Sequence, residues 1–169
     1  LDENRLACSS YLTALKSAVT SLLRFIEDNK LTVVSMEEKI DTKFDVIGDF
    51  TGSIDLLLSN SKGDLVVVDM KWSEGKTYKE RLEKGDILQL ALYRKALELN
   101  GHEVVGVGYF VLPQRKFFTS SDSFTSSDIV ELVEGINLGD HFKLACNSYE
   151  YRKKQIEQGV IEDAEGAAL

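Results

Sequence analysis

Two otherwise apolar runs carry charge: Asp55 lies within Gly52-Ser53-Ile54-Asp55-Leu56-Leu57-Leu58, and Asp69 and Lys71 close Leu65-Val66-Val67-Val68-Asp69-Met70-Lys71. Burying a carboxylate or an ammonium is costly without compensation, so charge in such runs points to a purpose. Side chains alternate along a strand, which puts Asp69 and Lys71 on one face and Val68 and Met70 on the other. The connector Ser59-Asn60-Ser61-Lys62-Gly63 has the residue types of a hairpin turn, and closing it brings Asp55 beside the Asp69 end of its partner strand. Two carboxylates gathered this way suit a hard divalent cation, magnesium or manganese, which keeps waters and takes phosphate oxygens as ligands. The expected chemistry is phosphoryl transfer. A plainer reading makes Asp69 and Lys71 a strand-end ion pair and Asp55 a turn cap.

Further on, Gly85-Asp86-Ile87-Leu88-Gln89-Leu90-Ala91-Leu92-Tyr93-Arg94-Lys95-Ala96-Leu97 has apolar residues at helical spacing, with Gln89 and Tyr93 four apart on one face. Taken in order, Asp55, Asp69-x-Lys71 and Gln89-x-x-x-Tyr93 resemble the signatures of the PD-(D/E)XK nuclease superfamily, specifically its RecB-like exonuclease branch. The resemblance is strongest over residues 31–112, and Tyr109-Phe110-Val111-Leu112-Pro113 matches the strand that follows the helix.

The resemblance implies an α/β fold with a restriction-endonuclease-like core, a central mixed sheet flanked by helices in the order α-β-β-β-α-β. It implies a divalent-metal-dependent DNA nuclease, an exonuclease of the kind found in recombination and repair helicase-nucleases or phage proteins. An acid one strand earlier is also implied. Glu37 matches that position better than Glu38, because Ile40 follows it by three, although Glu38 remains an alternative and either could be a solvated charge. On this reading Asp55, Asp69, Glu37 and the Met70 backbone carbonyl hold magnesium or manganese, and Lys71 stands beside the attacking water. Gln89 and Tyr93 position a phosphate or Lys71. The alternative is a catalytically inactive nuclease-fold module that binds DNA ends or a protein partner.

The chain also departs from the family pattern. Many RecB-like members carry a metal-binding histidine on the first helix, and residues 1–31 contain none. The two histidines, His102 and His141, read as surface residues. Cys8 and Cys146 are too few and too far apart for an iron-sulfur cluster, so none is expected, and both read as reduced, small apolar residues. Trp72, next to Lys71, either stacks on a base or packs beneath the following loop, and Tyr78 poses the same choice.

Length and composition bound the rest. With 169 residues, 43% of them hydrophobic, the chain can bury one substantial core, and residues 1–166 read as a single domain. Leu1 in place of methionine suggests excision from a larger protein, and Ala167-Ala168-Leu169 reads as a vector remnant. Neither a membrane-length apolar stretch nor a secretory signal is visible, so the expected setting is soluble and cytoplasmic, with DNA and other parts of a DNA-processing assembly as partners and no membrane. The net charge of −8 sits poorly with phosphate binding, but Lys71 to Lys95 holds seven bases against four acids, an excess of +3 that leaves −11 for the remainder.

The elements that must position these residues follow from periodicity. A helix is expected over 8–29, strands near 32–40, 53–59 and 64–71, a loop around Gly75, and a helix near 80–99. A strand follows over 104–111, stopped by Pro113, and Phe117-Phe118-Thr119 is expected as a short edge strand. After the polar connector 120–127, helices are expected over 126–136 and 139–158, with Gly159 as the stop.

Overall fold

The computed structural model describes residues 2–73, 77–85, 87–124, 127–134 and 137–160, without side chains at 2–8 and 77. Gly75, Asp86, the Cys8 side chain and residues 167–169 therefore lie outside the described residues. Helix α1 (Asp2–Asp28) precedes three strands, β1 (Thr32–Phe44), β2 (Gly48–Ser59) and β3 (Leu65–Lys71). Helices α2 (Thr77–Glu83) and α3 (Leu88–Leu99) then cross to β4 (Val104–Val111), followed by β5 (Lys116–Thr119), β6 (Val130–Leu132) and α4 (Leu138–Glu157).

The six strands form one mixed sheet in sequence order. Strands β1, β2 and β3 are antiparallel neighbours, β3 runs parallel to β4, β4 is antiparallel to β5, and β5 is parallel to β6. This is the α/β, restriction-endonuclease-like architecture expected, with the crossover helices covering the parallel β3–β4 pair.

Each face of the sheet carries its own core. Val67, Val107, Tyr109 and Val111 pack with Ile54, Leu90, Tyr93 and Leu97 under α3, whereas Val66, Val68, Phe110 and Phe117 pack against Ala18 and Phe25 of α1. Strand β3 is buried on both sides, which explains its unbroken run of valines. The β2–β3 turn closes on Asn60, whose side-chain oxygen accepts from the N–H groups of Lys62 and Asp64 at 2.8 and 3.0 Å, with Gly63 in the left-handed region.

Four expectations need correction. The helix near 80–99 is two helices, because Gly85 adopts φ 73 and ends the first of them. The His141 ring of α4 lies over that glycine, where a Cβ would collide with it, so His141 is a packing residue and not plain surface. No helix forms over the described part of 126–136: Val130–Leu132 pairs in parallel with Phe117–Thr119, which makes β5 an interior strand and β6 the edge. A short run with Ile129, Val130, Leu132 and Val133 fits either period, and the unpaired side of β5 decides for the strand. No helix among the described residues is long and apolar enough to cross a membrane.

Candidate active site

The alternation of β2 slips at one residue. Ile54 and Leu57 both belong to the core beneath α3, while Leu56 and Leu58 face α1, so two residues separate Ile54 from Leu57 where strict alternation allows one or three. Asp55 lies at the slip, and the ladder between β2 and β3 runs only as far as Leu56 and Val68. Beyond it, Asp55 Oδ2 accepts the Met70 N–H at 2.7 Å, so a side chain takes the place of a backbone partner. The N–H and C=O of a strand residue share a side, which leaves the Met70 carbonyl on the edge that Asp55 faces.

The slip has a counterpart on β1. Met36 pairs with Leu56 and Glu38 with Ile54, and between them Glu37 adopts φ 53, a strained value for a non-glycine residue. Irregular pairing of this sort re-aims side chains and gathers near active sites.

Asp69 and Lys71 lie on the face covered by α2 and α3, as alternation predicts. Asp69 is 1% exposed. The Lys71 ammonium stands 2.6 Å from Asp69 Oδ2. The contact is a close ion pair, and the Lys71 hydrogen bond is the strongest influence holding the Asp69 carboxyl down. Burial raises the Asp69 pKa above its ordinary value of 3.8, and the neighbouring Asp55 charge adds to the rise; Lys71 and Arg81 oppose it without cancelling it. A deeply buried carboxylate beside a second carboxylate and a backbone carbonyl fits a hard divalent cation.

Arg81 was visible in the sequence only as one base among seven. Its role comes from α2, which seats Tyr78 against Tyr109 at 5.1 Å between ring centroids, directly across the ladder from Asp69. Arg81 lies over the Tyr78 ring at 5.5 Å and acts on the Asp69 charge. An ion pair between Lys79 and Glu131 fastens the same helix to β6.

Gln89 and Tyr93 do share a helix face, but their bonds run into the protein. Gln89 Nε2 donates to Tyr93 Oη at 3.1 Å, and the phenol donates to the Ser53 carbonyl at 2.6 Å. They hold β2 two residues before Asp55, in place of the expected contact with Lys71. Gly52 is the complement of this anchor, since a Cβ there would lie 2.7 Å from Tyr93 Cε1. We expect Gly52→Ala to push the phenol off Ser53, at about 1–3 kcal/mol for overpacking, and to lower turnover at least tenfold. Denaturant titration alongside a kinetic assay checks this.

The expected third acid does not join the cluster. Glu37 is exposed and accepts from Ser53 Oγ at 3.2 Å, whereas Glu38, opposite Ile54, occupies the α3 side of β1. Among the described residues, no group of three or more His, Cys, Asp and Glu side chains is placed to hold a metal ion together. Of the histidines, His102 is exposed.

No curated protein matches this chain. A family model does, over residues 2–167, and it describes the PD-(D/E)XK nuclease superfamily. With a match of nearly full length, the chain belongs to the PD-(D/E)XK nuclease superfamily.

Proposed function

We propose that this chain is a divalent-metal-dependent deoxyribonuclease of the RecB-like exonuclease type, working in the cytoplasm as one domain of a larger recombination, repair or phage assembly. The observation that carries the reading is the buried Asp69 carboxylate, 2.6 Å from the Lys71 ammonium and close enough to Asp55 to feel its charge. Asp55, Asp69 and the Met70 carbonyl would hold the cation, with Glu37 or Glu38 joining if β1 shifts when DNA binds. When bound, magnesium or manganese supplies a water of lowered pKa and offsets charge on the scissile phosphate.

The remaining work falls to the chain itself. Lys71, partly exposed, stabilises hydroxide beside Asp69 and the charge that builds on the phosphoryl oxygens. Arg81 holds a non-bridging phosphate oxygen from the α2 side. Tyr93 and Gln89 keep Asp55 in place through Ser53.

The test is release of nucleotides from end-labelled DNA with magnesium or manganese, and its loss on chelation. Absence of cleavage with retained DNA binding would replace this reading with the non-cutting module, which the two-acid cluster favours. A pH dependence follows from Asp69. Cation and proton compete for a carboxylate of raised pKa, so activity should rise with pH through that value, and higher magnesium should move the acid limb to lower pH. Initial rates across a pH series at two metal concentrations check the shift.

A further inference from the structure

Strand β1 is an edge of the sheet: β2 pairs one side of it, and among the described residues no strand pairs the other. Every second residue of an edge strand turns its N–H and C=O away from its neighbour, so an open edge is a template for another chain. Folded proteins commonly keep such edges short or bent. β1 is 13 residues long, and its irregularities, the register shift between Val33 and Ser35 and the Glu37 backbone at φ 53, lie in its first half. From Glu38 to Phe44 the register against β2 runs without a shift.

The side chains of that regular half sort by face. Ile40 and Phe44 are buried in the core beneath α3, whereas Lys39, Asp41 and Lys43 alternate with them and stand exposed on the opposite face. Glu37 joins the exposed face, because its carboxylate accepts from Ser53, the residue across β2 from Lys39. The open edge therefore carries acid, base, acid, base at every second residue. Lys39, Asp41 and Lys43 form no ion pair with any described residue, so these charges are not neutralised within the chain.

We propose that this edge pairs antiparallel with the β1 edge of a second copy of the chain, about a two-fold axis at Ile40, which joins the two sheets into one. About that axis Lys39 stands opposite the second copy's Asp41, and Lys43 opposite the second copy's Glu37. By symmetry each pair occurs twice, so every charge on the exposed face meets its opposite. The charge order selects this register. Sliding by two residues one way sets Asp41 against Asp41 and Lys39 against Lys43, and sliding the other way sets Lys39 against Lys39 and Glu37 against Asp41. Sliding by one residue sets the buried face of one copy against the solvent face of the other. Opposite charges directly across a ladder stabilise it and like charges oppose it. The contact is isologous and uses both β1 edges, so it closes at two copies. It stands whether or not the chain cuts DNA.

Sedimentation of the full chain over a range of concentrations should show a monomer–dimer equilibrium that moves toward monomer as salt is raised, since exposed charge pairs are screened. Lys39→Glu and Asp41→Lys each place like charges together twice per dimer, and each alone should raise the dissociation constant about tenfold or more. Mixing the two variants brings opposite charges together again at both places, so the mixture should recover the parental affinity. Lys43→Glu, facing Glu37, should weaken the dimer in the same direction, which keeps the test open if a change at 39 or 41 disturbs folding. Melting temperatures close to that of the parent establish that each variant is folded. A parent chain that stays monomeric at every concentration, a dimer unmoved by all three reversals, or a mixture no tighter than its components would overturn the proposal. The first of these would leave the edge charges as a guard against strand pairing.

Discussion

Asp69→Asn is expected to abolish nuclease turnover and, in the same protein, to raise the melting temperature. Under the proposed function Asp69 would help hold the cation, and metal-centred charge stabilisation is worth several kcal/mol, so turnover should fall by about three orders of magnitude or more. The gain in stability follows from the raised pKa. Burial makes the folded chain hold a proton on Asp69 more tightly than the unfolded chain does, whose value is near the ordinary 3.8. Stability linked to this group is therefore full below 3.8 and is lost as pH rises through the raised folded value, so at neutral pH the ionised carboxylate destabilises the fold. Asparagine has nearly the same shape and no charge to desolvate. Each kcal/mol recovered corresponds to roughly 2–4 °C for a chain of this length. Melting in the presence of a chelator at pH 7 and again near pH 4 checks the sign: the advantage of Asp69→Asn should shrink at the lower pH, and a variant less stable than the parent at pH 7 would contradict it. Activity retained at the expense of stability is the usual relation at such sites.

Lys71→Met should also cost heavily in turnover but move stability in the opposite direction. Removing the ammonium withdraws charge stabilisation of the kind that single mutations show to be worth about two to three orders of magnitude in kcat. It also leaves Asp69, 1% exposed, with Arg81 alone among the described residues to offset its charge, at a cost on the order of 1–3 kcal/mol. A divalent cation can then stand in for the lost ammonium, so magnesium should raise the melting temperature of Lys71→Met more than that of the parent chain. The double variant Asp69→Asn with Lys71→Met should return toward parental stability, because neither partner is left alone, and a double-mutant cycle measures that coupling. Thermal melts of the four proteins with and without magnesium, beside single-turnover cleavage, separate this pattern from simple misfolding, in which stability and activity would fall together in every variant.

The charges in apolar runs, the hairpin between them and the helical spacing of Gln89 and Tyr93 are all local features, and local features survive in sequence. Alternation alone placed Asp69 beside Lys71, and the structure puts them 2.6 Å apart. The turn residues Asn60 and Gly63 announced the pairing that carries Asp55 to Met70. What tertiary structure decided is everything that depends on a partner far away in the chain. Tyr93 bonds Ser53 and not Lys71, because the ring needs the gap left by Gly52 and no periodicity reveals which backbone lies across that gap. Arg81 became part of the site through Tyr78 packing on Tyr109, a contact between α2 and β4. Val130–Leu132 became a strand because β5 offered an unpaired edge, and Glu37 turned aside because β1 and β2 slip together. Sequence encodes period, turn and propensity over a few residues; which surfaces meet is set by burial and hydrogen bonding summed over the whole sheet, and those choose among locally equivalent options.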